Sequence, residues 1–237
     1  VDTWPDYNDE GWGWSPWALR AYAFYTGMLW QLALRHDRLG VLDFVEPSLG
    51  HPMPVRLRGR RITQDEAVSA LDLNLMNEHM PLLNKRNVLE IGGGYGRMAY
   101  FMKTINPDCR YTIVDIDPAL RLANYYLDAC GIKVDLSRTI DESERYDLVI
   151  NTSSFDEMPA VVSMAYLRTI ERVCHSHVFV NGYSRASHDH RGRARLGLDE
   201  LVYGDAWRVL YAKRHRFNPG WVDKIFELAI EEKVKKP

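Results

Sequence analysis

The stretch that most restricts what this chain can become is Val88-Leu89-Glu90-Ile91-Gly92-Gly93-Gly94-Tyr95-Gly96-Arg97. A short apolar run ends in a glycine cluster, and a helix-forming segment follows. Glycines in such a place supply backbone dihedrals that side-chain-bearing residues avoid. They also let a ligand approach the main chain closely, and the N-terminus of the next helix favours negative charge there. A strand, a glycine turn and a helix in that order open a βαβ unit.

The downstream sequence keeps the alternation. Strands are expected at 87–91, 111–116, 132–138, 146–152 and 177–183, with helices from the glycines to about 105, over 118–131, and from about Pro159. Such alternation argues for a parallel sheet with helices on both faces. A late strand is expected over 207–217, and Asn218-Pro219 reads as the cap of a final helix ending in a Lys-rich tail. Upstream, Ser15-Pro16 starts a helix running to about Leu39, with Gly40 past its end. Its apolar positions lie nearly all round, so burial or an oligomer contact is expected. Residues 41–62 read as loops with a short hairpin. Thr63-Gln64-Asp65-Glu66 forms a capping box for a helix that stops before Pro81. The expected organisation is a helical, aromatic-rich N-terminal region over 1–85 and a cofactor-binding domain over 86–237.

Two cofactor classes compete for the glycine turn. A dinucleotide asks for G-x-G-x-x-G/A. Gly94, Gly96 and Ala99 satisfy it, but leave Gly92 and Gly93 unexplained; from Gly92 the third position falls on Arg97. S-adenosylmethionine asks for an acidic residue on the strand and then G-x-G-x-G, which Glu90, Gly92, Gly94 and Gly96 meet without a gap. Gly93 and Ile116 complete the expected cofactor contacts. Asp115, at the end of the next strand, can accept from both ribose hydroxyls, which suits either class.

LEIGGGYGRMAY followed by YTIVDIDPAL resembles the sugar O-methyltransferase family. RGRRITQDEAVSAL upstream and DLVINTSSFDEMP downstream extend the similarity over roughly residues 55–185. The resemblance implies a Rossmann-like class I methyltransferase sheet, S-adenosylmethionine as cofactor, and transfer to a hydroxyl of a small molecule, a sugar or a glycosylated natural product. The family often carries Pro where this chain has Asp117, which favours Asp115 as the ribose ligand. The region after Tyr183 has no counterpart in that pattern.

Methyl transfer to oxygen requires alignment of the acceptor and removal of one proton. The loop after the strand at 146–152 offers Asp156 and Glu157, and Glu157 falls at the family's acidic position. The plainer role for both is to start the helix at Pro159, where acidic groups suit the dipole. His79 is a second candidate base. His188-Asp189-His190 suggests a metal, but no distant third ligand is identifiable, so no metal is expected. The stretch from Arg185 to Arg195 is either a solvated loop or a clamp for an anionic acceptor. Trp4, Trp12, Trp14 and Trp17 suit a lid, a core or a dimer contact.

Composition narrows the rest. Net charge is −2, so no basic field draws the chain to nucleic acid or anionic lipid. Cys109, Cys130 and Cys174 are sparse and scattered, which suits buried thiols in a reducing compartment. The apolar run 22–34 is shorter than the ~20 residues of a membrane span, and an acidic N-terminus is wrong for a secretory signal. The expected location is cytoplasmic. The expected partners are a small-molecule acceptor and a second copy meeting the N-terminal helices, with no nucleic acid and no membrane. An oxidoreductase built on Gly94, Gly96 and Ala99, or a non-catalytic partner protein of the same fold, stays open at this level.

Overall fold

The computed structural model describes residues 15–45, 47, 49, 53, 55–188 and 194–228. Trp4, Trp12, Trp14, Asp189, His190 and the Lys-rich tail lie outside them. The chain divides into two compact units, Val1–Glu78 and His79–Pro237.

In the first unit, α1 (Pro16–His36) begins as its sequence dictates, with Pro16 in the first turn and Ser15 Oγ accepting from Ala18 N–H. It ends earlier than Gly40 suggests. Asn74 Oδ1 accepts from the N–H groups of Arg38 and Leu39, and the Asp37 carboxylate accepts from Val41 and Leu42. These short polar grips capture backbone donors that a longer helix would have used. Ala23, Leu29, Trp30 and Ala33 are buried, while Trp17, Phe24 and Met28 remain exposed. A hairpin follows, β1 (Val55–Leu57) and β2 (Arg60–Ile62), turned by Arg58 and Gly59, both at positive φ. That turn geometry matches the right-handed strand twist. α2 (Gln64–His79) opens with Thr63 Oγ1 accepting from Glu66 N–H at 3.0 Å. The buried Glu66 carboxylate pairs with Arg60 at 3.2 Å.

The second unit is built on one seven-stranded sheet. In chain order its elements are β3 (Asn87–Ile91), α3 (Arg97–Ile105), β4 (Arg110–Val114), α4 (Asp117–Ala129), β5 (Asp135–Ser137), β6 (Tyr146–Thr152), α5 (Ala160–Val173), β7 (Cys174–Tyr183), β10 (Trp207–Arg214) and β11 (Trp221–Leu228). Between β7 and β10, β8 (Ser187–His188) pairs antiparallel with β9 (Ala194–Arg195). The sheet order is β10-β11-β7-β6-β3-β4-β5. Strands β5, β4, β3, β6 and β7 run parallel, and β11 is antiparallel to both its neighbours. The sheet is α/β, mostly parallel and flanked by helices, as the alternation requires. β3 and β6 are near-continuous apolar runs because both faces of a central parallel strand are covered. On one face Leu167, Ile170 and Val173 of α5 join Val149, Val178 and Val180 in a single core cluster.

The expected final helix is a correction. Residues 221–228 form strand β11, not a helix. Val222, Asp223, Ile225, Phe226 and Leu228 are buried, a spacing that mimics helical period. It arises because β11 lies between β7 and β10 with both faces covered. Asn218 and Gly220 instead make the turn into it, through Trp221 N–H to Asn218 O and Gly220 N–H to Asn218 Oδ1.

The chain leaves β3 toward β4 and β5, then returns to the other side for β6 and β7. The reversal opens a crevice at the carboxyl ends of β3 and β6, where open α/β sheets bind ligands.

Candidate functional site

The glycine turn occupies that crevice. Gly94 has φ +56°, and a Cβ placed there would meet no atom within 4 Å, so its outer side faces open space. Gly92 has φ +75° and is pressed by the β6 loop, for a Cβ there would lie 2.0 Å from Ser154 Oγ. Gly93 and Gly96 are crowded from beneath by Ile113 and Leu127. All four glycines therefore have a physical reason, including the Gly92 and Gly93 that a dinucleotide register leaves over. Gly92 N–H donates to Val114 O at 2.8 Å, which pins the turn to β4.

Asp115 closes the arrangement from β4. Its Oδ2 accepts from Gly94 N–H at 2.9 Å and its Oδ1 from Ile116 N–H at 2.7 Å. Ile116 leaves its side chain 69% exposed beside it. Asp117, one residue on, is held by the Arg138 guanidinium at the end of β5. Glu90 lies beneath the turn, 1% exposed. Tyr111 O–H donates to its Oε2 at 2.9 Å. Burial pushes the Glu90 carboxyl up to about 7, against the Tyr111 hydrogen bond and the nearby Arg97 charge. The structure thus brings Glu90, Gly92, Gly93, Gly94, Gly96, Asp115 and Ile116 to one place.

The β6 loop adjoins them through Ser154. Asn151 Nδ2 donates to Ile91 O at 2.8 Å and its Oδ1 accepts from Phe155 N–H, which ties the ends of β3 and β6 together. Ser153 is held at φ +51°, an uncommon conformation for a residue with a side chain. Phe155–Glu157 then forms one 3₁₀ turn, and α5 begins only at Ala160 with Pro159 as its N-cap. Asp156 and Glu157 therefore do not cap α5. Asp156 is buried, and its Oδ2 accepts from Tyr183 N–H at 3.2 Å. Its Oδ1 is buried with no hydrogen-bond partner. Glu157 is exposed at its surface. Burial raises the carboxyl of Asp156, and burial together with the Asp156 charge raises that of Glu157; the Arg195 charge opposes both.

His79 is not brought to this place. Its ring packs on Tyr211 of β10 at 4.8 Å, and β10 lies three strands from β6. That is roughly 14 Å at the usual strand spacing. Ser154 and the aromatic pair Tyr183–Trp221 carried no sequence signal, since their positions depend on which strands adjoin. Cys109 and Cys174 are buried and all three cysteines are free. Among the described residues no helix is long and apolar enough to cross a membrane.

Residues 67–176 match the family described as methyltransferase small domain. No curated protein sequence matches the chain. Solved structures do. The pyocyanin biosynthetic protein PhzM aligns with TM-score 0.50 and 15% identity, over 69% of this chain and 56% of its own. This chain thus spans little more than half of that protein. The N-terminal domain of EvdMO1, solved with SAH bound, aligns with TM-score 0.50 and 16% identity, over 84% and 95%. The mitomycin 7-O-methyltransferase MmcR aligns with TM-score 0.50 and 13% identity, over 91% and 69%. The fold is the Rossmann-like class I methyltransferase fold.

Proposed function

We propose that this chain binds S-adenosylmethionine at the β3 turn and methylates a hydroxyl of a small-molecule acceptor. The observation that carries the reading is the open space over Gly94, a cradle that any Cβ would fill, gripped from the side by Asp115. Each Asp115 oxygen accepts one backbone N–H and has a further lone pair for a ribose hydroxyl. The exposed Ile116 side chain offers an apolar wall for a purine. Glu90, buried beneath Gly93, stands at the strand position where an S-adenosylmethionine site calls for an acidic residue, and supports the turn from below. The structures solved for EvdMO1, with SAH, and for an O-methyltransferase, MmcR, support both the cofactor and oxygen as the acceptor atom.

The bound cofactor supplies a methyl group on a positively charged sulfur, already an excellent leaving group. What the protein adds is orientation of the acceptor and removal of one proton. Glu157 is the proposed base, on the loop that touches the glycine turn through Ser154. Its raised carboxyl makes it a better proton acceptor than an ordinary glutamate. Asp156 beside it holds the end of β7 and disfavours a second negative charge. The resemblance to sugar O-methyltransferases makes a sugar hydroxyl the proposed acceptor. The N-terminal region is proposed to serve acceptor or oligomer contacts.

Calorimetry decides the cofactor. The expected result is binding of S-adenosylhomocysteine and none of NAD⁺. Binding of NAD⁺ alone would transfer the glycine turn to an oxidoreductase.

A further inference from the structure

The ladder between β3 and β6 stops before either strand does. Its register runs from Val88–Leu148 through Leu89–Val149 to Glu90–Ile150, while β6 stays paired to β7 through Asn151–Val180 and Thr152–Asn181. The two strands part where one delivers the glycine turn and the other delivers the loop of Glu157. Asn151 stands at that fork and is fully buried. Its Nδ2 donates to Ile91 O at 2.8 Å, just past the last register pair, and its Oδ1 accepts from Phe155 N–H at 3.2 Å. Ile91 is the residue before Gly92, and Phe155 opens the 3₁₀ turn Phe155–Glu157. One side-chain amide therefore spans from the end of β3 to the turn that carries the proposed base.

Only an amide suits this place. One end meets a carbonyl and the other an N–H, so the side chain must donate and accept at once. An aliphatic residue does neither, and an ionised carboxylate only accepts. Burial of such a group costs free energy unless it is paired, and here both ends are. Three further contacts hold the same loop. Ser153, at φ +51°, bends the chain back after β6 and donates its N–H to Asn181 O at 2.8 Å. Ser154 fills the notch over Gly92. From α5, the buried Ser163 Oγ donates to Phe155 O at 2.8 Å. Phe155 is thus gripped at its N–H and at its C=O, two residues before Glu157.

We propose that Asn151 is the positioning residue of the base: its amide locks the turn bearing Glu157 to the strand that carries the cofactor turn. This rests on the methyltransferase reading and adds to it a residue that acts through Glu157.

The test follows two NMR signals of the full chain. Glutamate labelled with carbon-13 at the side-chain carboxyl gives the Glu157 titration, assigned by its loss in Glu157→Gln. Phenylalanine labelled with nitrogen-15 gives deuterium exchange of the Phe155 amide, assigned by Phe155→Leu and read relative to the Phe179 amide of β7, which corrects for any global change in stability. In Asn151→Ala the loosened turn gains water, so the Glu157 midpoint should fall toward the ordinary glutamate value. Relative exchange at Phe155 should rise about 10-fold with the lost hydrogen bond. Asn151→Asp is the rescue, and decides alone if the alanine variant does not fold. Burial favours its protonated form, which donates and accepts as the amide does. At pH 5 its relative exchange should match wild type, and at higher pH it should rise about 10-fold above wild type as the carboxyl ionises. A Glu157 midpoint within about 0.2 pH unit of wild type in Asn151→Ala overturns the clamp. So does wild-type exchange in Asn151→Asp at every pH. Failure of the wild type to bind S-adenosylhomocysteine by calorimetry overturns the methyltransferase reading instead, and leaves the hold of Asn151 on Glu157 to be judged by the two NMR signals.

Discussion

Glu90 offers a measurement that needs no acceptor. It is 1% exposed, beneath the glycine turn, and accepts the Tyr111 hydroxyl at 2.9 Å. Burial raises its carboxyl from 4.5 to about 7. In the unfolded chain the same group ionises near 4.5, so between these values the folded state holds a proton that the unfolded state has released. Stability then falls as pH rises across that window. The contribution is fully present below pH 4.5 and lost by the time pH passes 7. At the standard conversion between pKa and free energy it amounts to roughly 3 kcal/mol. Glu90→Gln keeps the shape and an acceptor oxygen for Tyr111 but cannot ionise. The assay is urea unfolding of wild type and variant at several pH values between 5 and 8, read as the difference between the two. The variant should gain on the wild type as pH rises, by about 2–3 kcal/mol over the range. A difference that stays flat within about 0.5 kcal/mol would refute the reasoning, because it would mean that Glu90 titrates alike folded and unfolded.

Further outcomes follow from the same geometry. Gly94→Val should abolish S-adenosylhomocysteine binding by calorimetry while circular dichroism shows an intact fold, because the new side chain enters open space and strains a residue at φ +56°. Asp115→Ala should weaken that binding about 10- to 100-fold, the range for a hydrogen bond to a charged group. It should also lower the melting temperature, since Gly94 and Ile116 lose their shared acceptor; Asp115→Asn, which keeps one acceptor oxygen but turns an NH2 donor toward the other N–H, should recover only part of the stability and little of the affinity. Glu157→Gln should slow methyl transfer about 10²- to 10⁴-fold with unchanged cofactor affinity. Normal turnover in that variant, measured with radiolabelled methyl donor, would remove Glu157 as the base.

The reading of the β3 turn came from local chemistry. Gly92, Gly94 and Gly96 have dihedrals that few other residues reach, so their spacing is visible in one dimension. The same holds for Ser15-Pro16 and the Thr63–Glu66 box, whose bonds close within one turn of helix. The apolar runs of β3 and β6 announced buried parallel strands because covering both faces leaves no room for polar alternation. Other features were decided only when distant segments met. Residues 221–228 carry a helix-like spacing of buried positions, and their place between β7 and β10 made them a strand. α1 stops at His36 because Asn74, on another helix, takes the N–H groups of Arg38 and Leu39. Ser154 reaches Gly92, and Tyr183 reaches Asp156 and Trp221, because β6 lies between β3 and β7 and β11 adjoins β7. His79 sits beside β10 for the same reason, far from the loop it was expected to serve. Sequence spells out dihedral preference and hydrophobic period, which are properties of neighbours along the chain. Which side chains share a crevice depends on strand order, and strand order is a property of the closed sheet.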